Sequence, residues 1–199
     1  MPGFFGPRFQ EALHFVIDIH GGDFRKGTQI PYVAHLLSVC SLVLVDGGDE
    51  EEAIAALLHD SLEDHPEMVS RADIGERFGP RVLALVERCT DTPPEYQGGP
   101  KPPFRARKAA YIEHIRQGEP EETRVALADK LDNARAILTD YRKLGDKLWS
   151  RFHAGETDQL WYYRSLVSAF RQAGVNGHML EELDGVVCEI ERECKARRK

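Results

Sequence analysis

Apolar positions recur three and four residues apart along nearly the whole chain, the spacing of a buried helical face. Phe9, Leu13, Val16 and Ile17 predict a first helix that stops near Gly21-Gly22. Pro31 suits the first turn of a second helix, which runs to Asp46 and is stopped by Gly47-Gly48. Asp49, with Glu52 three positions on, forms a capping-box pattern that opens a third helix. That helix carries LLHDSLED (57–64) and ends at Pro66. Ser70 with Asp73 starts a short helix closed by Phe78-Gly79, and Pro80 opens another to about Cys89. The stretch 91–103, DTPPEYQGGPKPP, has the proline and glycine content of a loop. Helix resumes over 104–117, and Pro120 starts a helix carrying VALADKLDNARAIL. Further helical patterns cover 141–152, 158–172 and 179–195, and the basic tail KARRK is expected to fray. No alternating strand pattern and no internal repeat stand out. The expected fold is all-α: one domain over 1–199, a helical bundle with its core in 10–170 and a C-terminal helix at 179–195.

Composition narrows what such a bundle does. Of the 199 residues 42% are hydrophobic and 30% charged, which suits an ordinary packed core. No apolar run is long enough to span a bilayer, and MPGFFGPRFQEALHF has no signal-peptide pattern. Cys40, Cys89, Cys188 and Cys194 are scattered with no CxxC pair, as expected of reduced cysteines in a cytoplasmic protein. The formal net charge of −7 argues against nucleic acid as a partner. An anionic small molecule remains open, provided a local basic patch or a metal ion receives it. The sequence leaves room for a homo-oligomer without pointing to one.

The chemistry concentrates in LLHDSLED. On a helix, Glu63 falls four after His59 and Asp64 four after Asp60, so the four polar groups share one edge among leucines. Neighbouring carboxylates repel, and burying them is costly without a compensating cation. An isolated His-Asp pair reads first as a solvated face. His35 alone, in an apolar helix beside Tyr32, reads as a core histidine, and Asp129 alone as a surface charge or cap. Together, His35, His59, Asp60 and Asp129 are two imidazoles and two carboxylates from three helices. That mixed set suits Mn²⁺, Fe²⁺ or Zn²⁺ better than Ca²⁺, and helical bundles build such sites from inward-facing side chains.

The order H…HD…D resembles the HD metal-dependent phosphohydrolases. The runs HGGDFRKGTQIPYVAHLLSV, AALLHDSLED, DIGERFGPRVLALVERCTD and ALADKLDNARAIL are more specifically similar to the hydrolase domain of the RelA/SpoT alarmone enzymes. The likeness covers roughly residues 10–140, and the length matches a stand-alone small alarmone hydrolase. It implies one metal ion, usually Mn²⁺ with other divalent metals possible, held by His35, His59, Asp60 and Asp129. It implies that Glu63 and Asp64 position and activate the attacking water and that Asn133 orients a phosphate or the water. Arg25 and Lys26 match an arginine-lysine pair beside the nucleotide, and Tyr32 lines the same pocket.

The implied reaction is hydrolysis of the 3′-pyrophosphate of (p)ppGpp to GDP or GTP and pyrophosphate. Basic residues after the Pro/Gly loop, Lys101, Arg105, Arg107 and Lys108, are candidates to receive the phosphates, with Arg105 and Lys108 foremost. The 91–103 loop departs from the family, which puts guanine specificity in doubt; (p)ppApp and NADPH are alternative substrates. An HD nucleotidase acting on monophosphates and a non-catalytic nucleotide-binding module are the competing readings. Arg124 and Arg135 read either as further basic candidates for the substrate or as salt-bridge partners, Trp161, Tyr162 and Tyr163 more as packing than as base stacking that closes the pocket, and His20 as structural. His65 shows no partner pattern in the sequence.

Overall fold

The computed structural model describes residues 4–91 and 102–197, so most of the Pro/Gly loop, including Lys101, lies outside the described residues. Among the described residues ten α-helices follow in order: α1 (Pro7–His20), α2 (Val33–Val45), α3 (Glu50–Leu58), α4 (Ser61–Asp64), α5 (Arg71–Phe78), α6 (Pro80–Cys89), α7 (Phe104–Arg116), α8 (Pro120–Leu144), α9 (Glu156–Gln172) and α10 (His178–Arg197). A 3-10 segment, Gly145–Arg151, joins α8 to the turn before α9. Among the described residues there is no strand, only an isolated bridge between Phe24 and Pro31. The all-α expectation holds. None of the described helices is long and apolar enough to cross a membrane.

The predicted helix starts have their expected chemistry. The Asp49 carboxylate accepts from the Glu52 amide at 3.0 Å, and the Glu52 carboxylate accepts from the Asp49 amide at 2.9 Å. Ser70 and Asp73 close the same reciprocal pair at the head of α5. Between α5 and α6, Gly79 has φ +98°, a conformation open to glycine and costly to a side chain.

α3 lies at the centre. Every residue from Glu52 to Leu58 is buried, and the helix packs against α1, α2, α6 and α8. A helix apolar on all sides belongs inside, and each buried Leu or Ile contributes on the order of 1.5–3 kcal/mol. Its buried Glu52 is met by Arg124 of α8, which also reaches Asp46 at 3.1 Å. Arg135 pairs with Glu182 of α10 at 2.9 Å. Both arginines are therefore the salt-bridge partners the sequence suggested.

Two boundaries differ from the sequence reading. LLHDSLED is not one continuous helix: α3 ends at Leu58, His59 and Asp60 form a turn, and the one-turn α4 follows. Asp60, with φ −97° and ψ −7°, sits at the edge of the helical region as the N-cap of α4, and its carbonyl accepts from both the Glu63 and Asp64 amides. Likewise, the pattern at 141–152 is not a separate helix. α8 continues through Tyr141 to Leu144, and the remainder tightens into the 3-10 segment after Gly145, whose φ is +60°.

Candidate metal and phosphate site

The site forms where α2, the α3–α4 break and α8 meet. α2 contributes His35, buried to 2% exposure; the break contributes His59, at 1%, and Asp60; α8 contributes Asp129, at 3%. His59 Nε2 lies 2.9 Å from Asp60 Oδ2 and 3.6 Å from Asp129 Oδ1. His35 Nε2 lies 3.3 Å from Asp129 Oδ1 and 3.7 Å from Asp60 Oδ2. His35, His59 and Asp129 place one ligand atom each within 4.8 Å of one another, a group able to hold a metal ion.

The outer nitrogens of the two rings are already committed. His59 Nδ1 lies 2.8 Å from the Ala56 carbonyl, which can only accept, so Nδ1 carries the proton. His35 Nδ1 lies 2.6 Å from an Asp132 carboxylate oxygen, which also accepts. In their neutral forms both rings therefore turn a bare Nε2 lone pair toward two carboxylates. Both Nε2 atoms are buried and have no hydrogen-bond partner. Lone pairs facing anions in a dry interior are stable only if the rings take up protons or a cation sits between them.

The titration tendencies say the same. Burial works to lower the His35 pKa, but attraction to Asp129, Asp132 and Asp60 outweighs it and lifts the ring to about 9. His59 is raised well above its ordinary value against still stronger burial, by Asp60 and Asp129. Asp60 and Asp129 are both held well below the carboxylate range: burial opposes this, but His59 beside Asp60 and Lys130 beside Asp129 prevail. Two protons on the imidazoles or one divalent cation supply the same double positive charge. The residues present fit a divalent metal.

Second partners hold this set in place. Asp132, one turn past Asp129, accepts from Ser38 at 2.5 Å and from Arg25 at 3.0 Å besides meeting His35. Arg25 also donates to the Asn133 side-chain oxygen at 2.7 Å, while Asn133 donates to Asp129. Lys130 meets the second Asp129 oxygen at 2.6 Å. The Tyr32 hydroxyl donates to Asp60 at 2.5 Å. Burial, then Asp60 and Asp64, push the Tyr32 phenol far above its ordinary pKa, so it remains a donor.

The sequence reading missed Asp132, Ser38 and Lys130. For Asp132 a signal existed: DKLD places a second carboxylate three positions after Asp129, on the same helix face.

Beside the ligands opens a cavity of about 640 Å³, lined by Lys26, Glu63, Lys108, Lys130, Asn133 and Tyr163 among others. A second of about 270 Å³ adjoins it, sharing Lys26, Asn133, Phe152 and Tyr163 and adding Arg25, Tyr32 and Arg151. Lys26 is carried on a turn in which Thr28 caps the Arg25 carbonyl and Gly27 has φ +72°. A Cβ on Gly27 would stand 2.9 Å from Arg151 Nε, so glycine also makes room for that arginine.

Arg107 and Lys108 are both gripped by Asp91. Burial works to raise the Asp91 pKa, but Lys108, Arg107 and Lys130 hold it at about 2. Arg105 turns away from the cavity: it bonds Asp158 at 2.8 Å and lies over the Trp161 ring at 4.7 Å, and its neighbour Arg107 lines the cavity instead. Tyr162 and Tyr163 are buried and also form cavity wall. A larger depression of about 720 Å³ between α6 and α7 shares Pro102 and Arg107 with the first cavity and includes Asp91, but has none of the residues next to the ligands, Glu63, Lys130 and Asn133, that line the first.

Comparison with known proteins follows the same lines. The model of the HD domain family matches residues 12–159. A guanosine-3′,5′-bis(diphosphate) 3′-pyrophosphohydrolase of Drosophila melanogaster is 34% identical over 133 residues, covering 65% of this chain and 69% of that protein. One of the same description from Aquifex aeolicus is 36% identical over 131 residues, 64% of this chain but only 17% of the much longer relative. A solved chain described as a metazoan ortholog of SpoT that hydrolyses ppGpp superposes with a TM-score of 0.74. It is 26% identical, and the match covers 96% of this chain and 99% of that one. A crystal structure from Listeria monocytogenes gives a TM-score of 0.68 at 31% identity, over 81% of this chain and 96% of its own.

Proposed function

The chain belongs to the HD domain family, in its RelA/SpoT-type hydrolase branch, and from that premise we propose that it is a metal-dependent 3′-pyrophosphohydrolase of (p)ppGpp. The observation that carries the reading is the pair of buried, unpartnered imidazole Nε2 atoms facing Asp60 and Asp129. His35, His59, Asp60 and Asp129 would hold one divalent ion, with Mn²⁺ the choice that the family resemblance favours. Such an ion, when bound, lowers the pKa of water and polarises a phosphoryl oxygen.

The rest falls to the chain's own residues. Glu63 lines the cavity and Asp64 follows it in α4. A carboxylate here takes the proton of the attacking water. Asn133 is held by Arg25 and Asp129 and faces the cavity, where its amide orients a phosphate oxygen or the water. Lys26, Arg107, Lys108 and Lys130 give an acidic protein a local basic wall against a polyanion, as positioning and neutralisation of a phosphoryl group require. Arg25 and Tyr32 line the adjoining cavity, where the remainder of a nucleotide fits.

The test is a product assay with Mn²⁺ and, separately, ppGpp, ppApp, NADPH and nucleoside monophosphates, with Asp60→Ala as control. The expected result is pyrophosphate and GDP from ppGpp, abolished in the variant along with metal binding. Turnover of ppApp or NADPH alone would keep the chemistry and move the base specificity. Phosphate from monophosphates alone would make the protein an HD nucleotidase. No turnover of any would leave a nucleotide-binding role.

A further inference from the structure

A second cluster of ligating side chains lies on the far side of Tyr32. His20 ends α1, Asp23 follows it in the turn, and His65 follows α4. Asp23 Oδ2 stands 2.9 Å from His20 Nδ1 and 2.7 Å from His65 Nε2. One ligand atom of each residue lies within 4.8 Å of the other two. We propose that these three residues form a second metal site, for a borderline divalent cation of the Zn²⁺ class.

The donor set selects the cation. Two imidazoles and one carboxylate suit Zn²⁺, Fe²⁺ or Co²⁺, whereas Mg²⁺ and Ca²⁺ prefer all-oxygen shells. The ligands approach from the protein side: the His20 side chain is fully buried, and that of Asp23 is 36% exposed. Coordination positions on the solvent side are thus left for water.

His65 faces a carboxylate from each ring nitrogen, Glu67 Oε1 at 3.2 Å from Nδ1 and Asp23 Oδ2 at 2.7 Å from Nε2. Binding a cation displaces the proton between Nε2 and Asp23, leaves one on Nδ1 toward Glu67, and turns the Nε2 lone pair to the metal. A carboxylate that fixes the tautomer of a ligating histidine is the usual outer partner of a metal site. His20 Nδ1 faces Asp23 Oδ2 at 2.9 Å and its buried Nε2 has no partner, so a cation would take the place of the Nδ1 proton and move it to Nε2 or release it.

The competing arrangement is His65 as an imidazolium clamped between Asp23 and Glu67, with no metal; attraction to those carboxylates does raise its pKa against burial. The position gives a cation a consequence. The His20 ring stacks on Tyr32 with centroids 5.3 Å apart, and Tyr32 donates to Asp60. His65 directly follows the Glu63-Asp64 pair. A cation here would tie the turn after α1 to the end of α4 and steady the segment that carries both acids.

The experiment reads metal content, not turnover, so it stands apart from the test of the reaction. The full chain is stripped with a chelator, dialysed against Zn²⁺, and assayed by atomic emission. Wild type is expected to bind one equivalent more than His65→Gln or Asp23→Asn. Those two variants keep the equivalent that Asp129→Asn loses. Zn²⁺ content equal to wild type in folded His65→Gln and Asp23→Asn would overturn the proposal and leave the imidazolium clamp. Should either variant fail to fold, Co²⁺ titration of wild type decides: two successive saturations of the visible ligand-field bands are expected, and a single one overturns the site.

Discussion

His35 makes the clearest case for how one side chain is prepared for its task. Its Nδ1 is committed to Asp132 at 2.6 Å, and Asp132 is held in turn by Ser38 and Arg25. Removing the charge of that outer carboxylate should weaken metal binding without removing a ligand. Asp132→Asn is therefore expected to lower metal affinity by about 10–100-fold, read by metal titration, while excess metal restores much of the turnover. Glu63 has a different duty in the proposed reaction, that of the base. Glu63→Gln keeps the shape and removes the base, so kcat should fall by roughly 10²–10⁴-fold with metal content unchanged. Wild-type kcat in Glu63→Gln would remove it from the proton transfer.

α3 ends just before His59 and Asp60, and at this break His59 Nε2 and Asp60 Oδ2 stand 2.9 Å apart. α3 is anchored at its other end by the Asp49–Glu52 box. Asp49→Ala should cost about 1 kcal/mol and lower Tm by about 2–4 °C, seen in thermal melts, with turnover well below Tm retained. An unchanged Tm would mean that burial of α3 alone holds its start. α8 serves as the second scaffold: its single face carries Asp129, Asp132 and Asn133, and its length brings Arg124 to Glu52 at the opposite end.

Across the molecule, a net charge of −7 coexists with a cavity walled by lysines and arginine. Asp91 helps reconcile the two by holding Arg107 and Lys108 at the wall. Its pKa of about 2 lies below the ordinary 3.8, so folding favours the ionised form. The stability this contributes is complete above the ordinary value and is lost as pH falls toward 2. Melts of wild type and Asp91→Asn should therefore differ most near pH 5 and converge as pH drops toward 2. A gap independent of pH would mean that the aspartate acts through packing rather than charge.

Much of this architecture is legible in the chain alone, because it is local. Helix periodicity, the Asp49 and Ser70 boxes, and Pro80 and Pro120 at helix starts depend on residues within a turn or two of each other, and the structure has them in place. The convergence of His35, His59, Asp60 and Asp129 is legible only in the set: each alone reads as an ordinary core or surface group, and the order H…HD…D with its family resemblance is what joins them. What the pattern could not give is orientation. The break at His59-Asp60 carries no proline or glycine, so no local signal marks it. Arg105 and Arg107 look alike in sequence, yet one faces Asp158 and Trp161 and the other the cavity. His65, just after α4, has only Glu67 near it in the chain; Asp23 and the His20 ring reach it from the end of α1. Spacing along a chain sets which groups share a face, but which nitrogen meets which carboxylate is decided by the packing of distant helices.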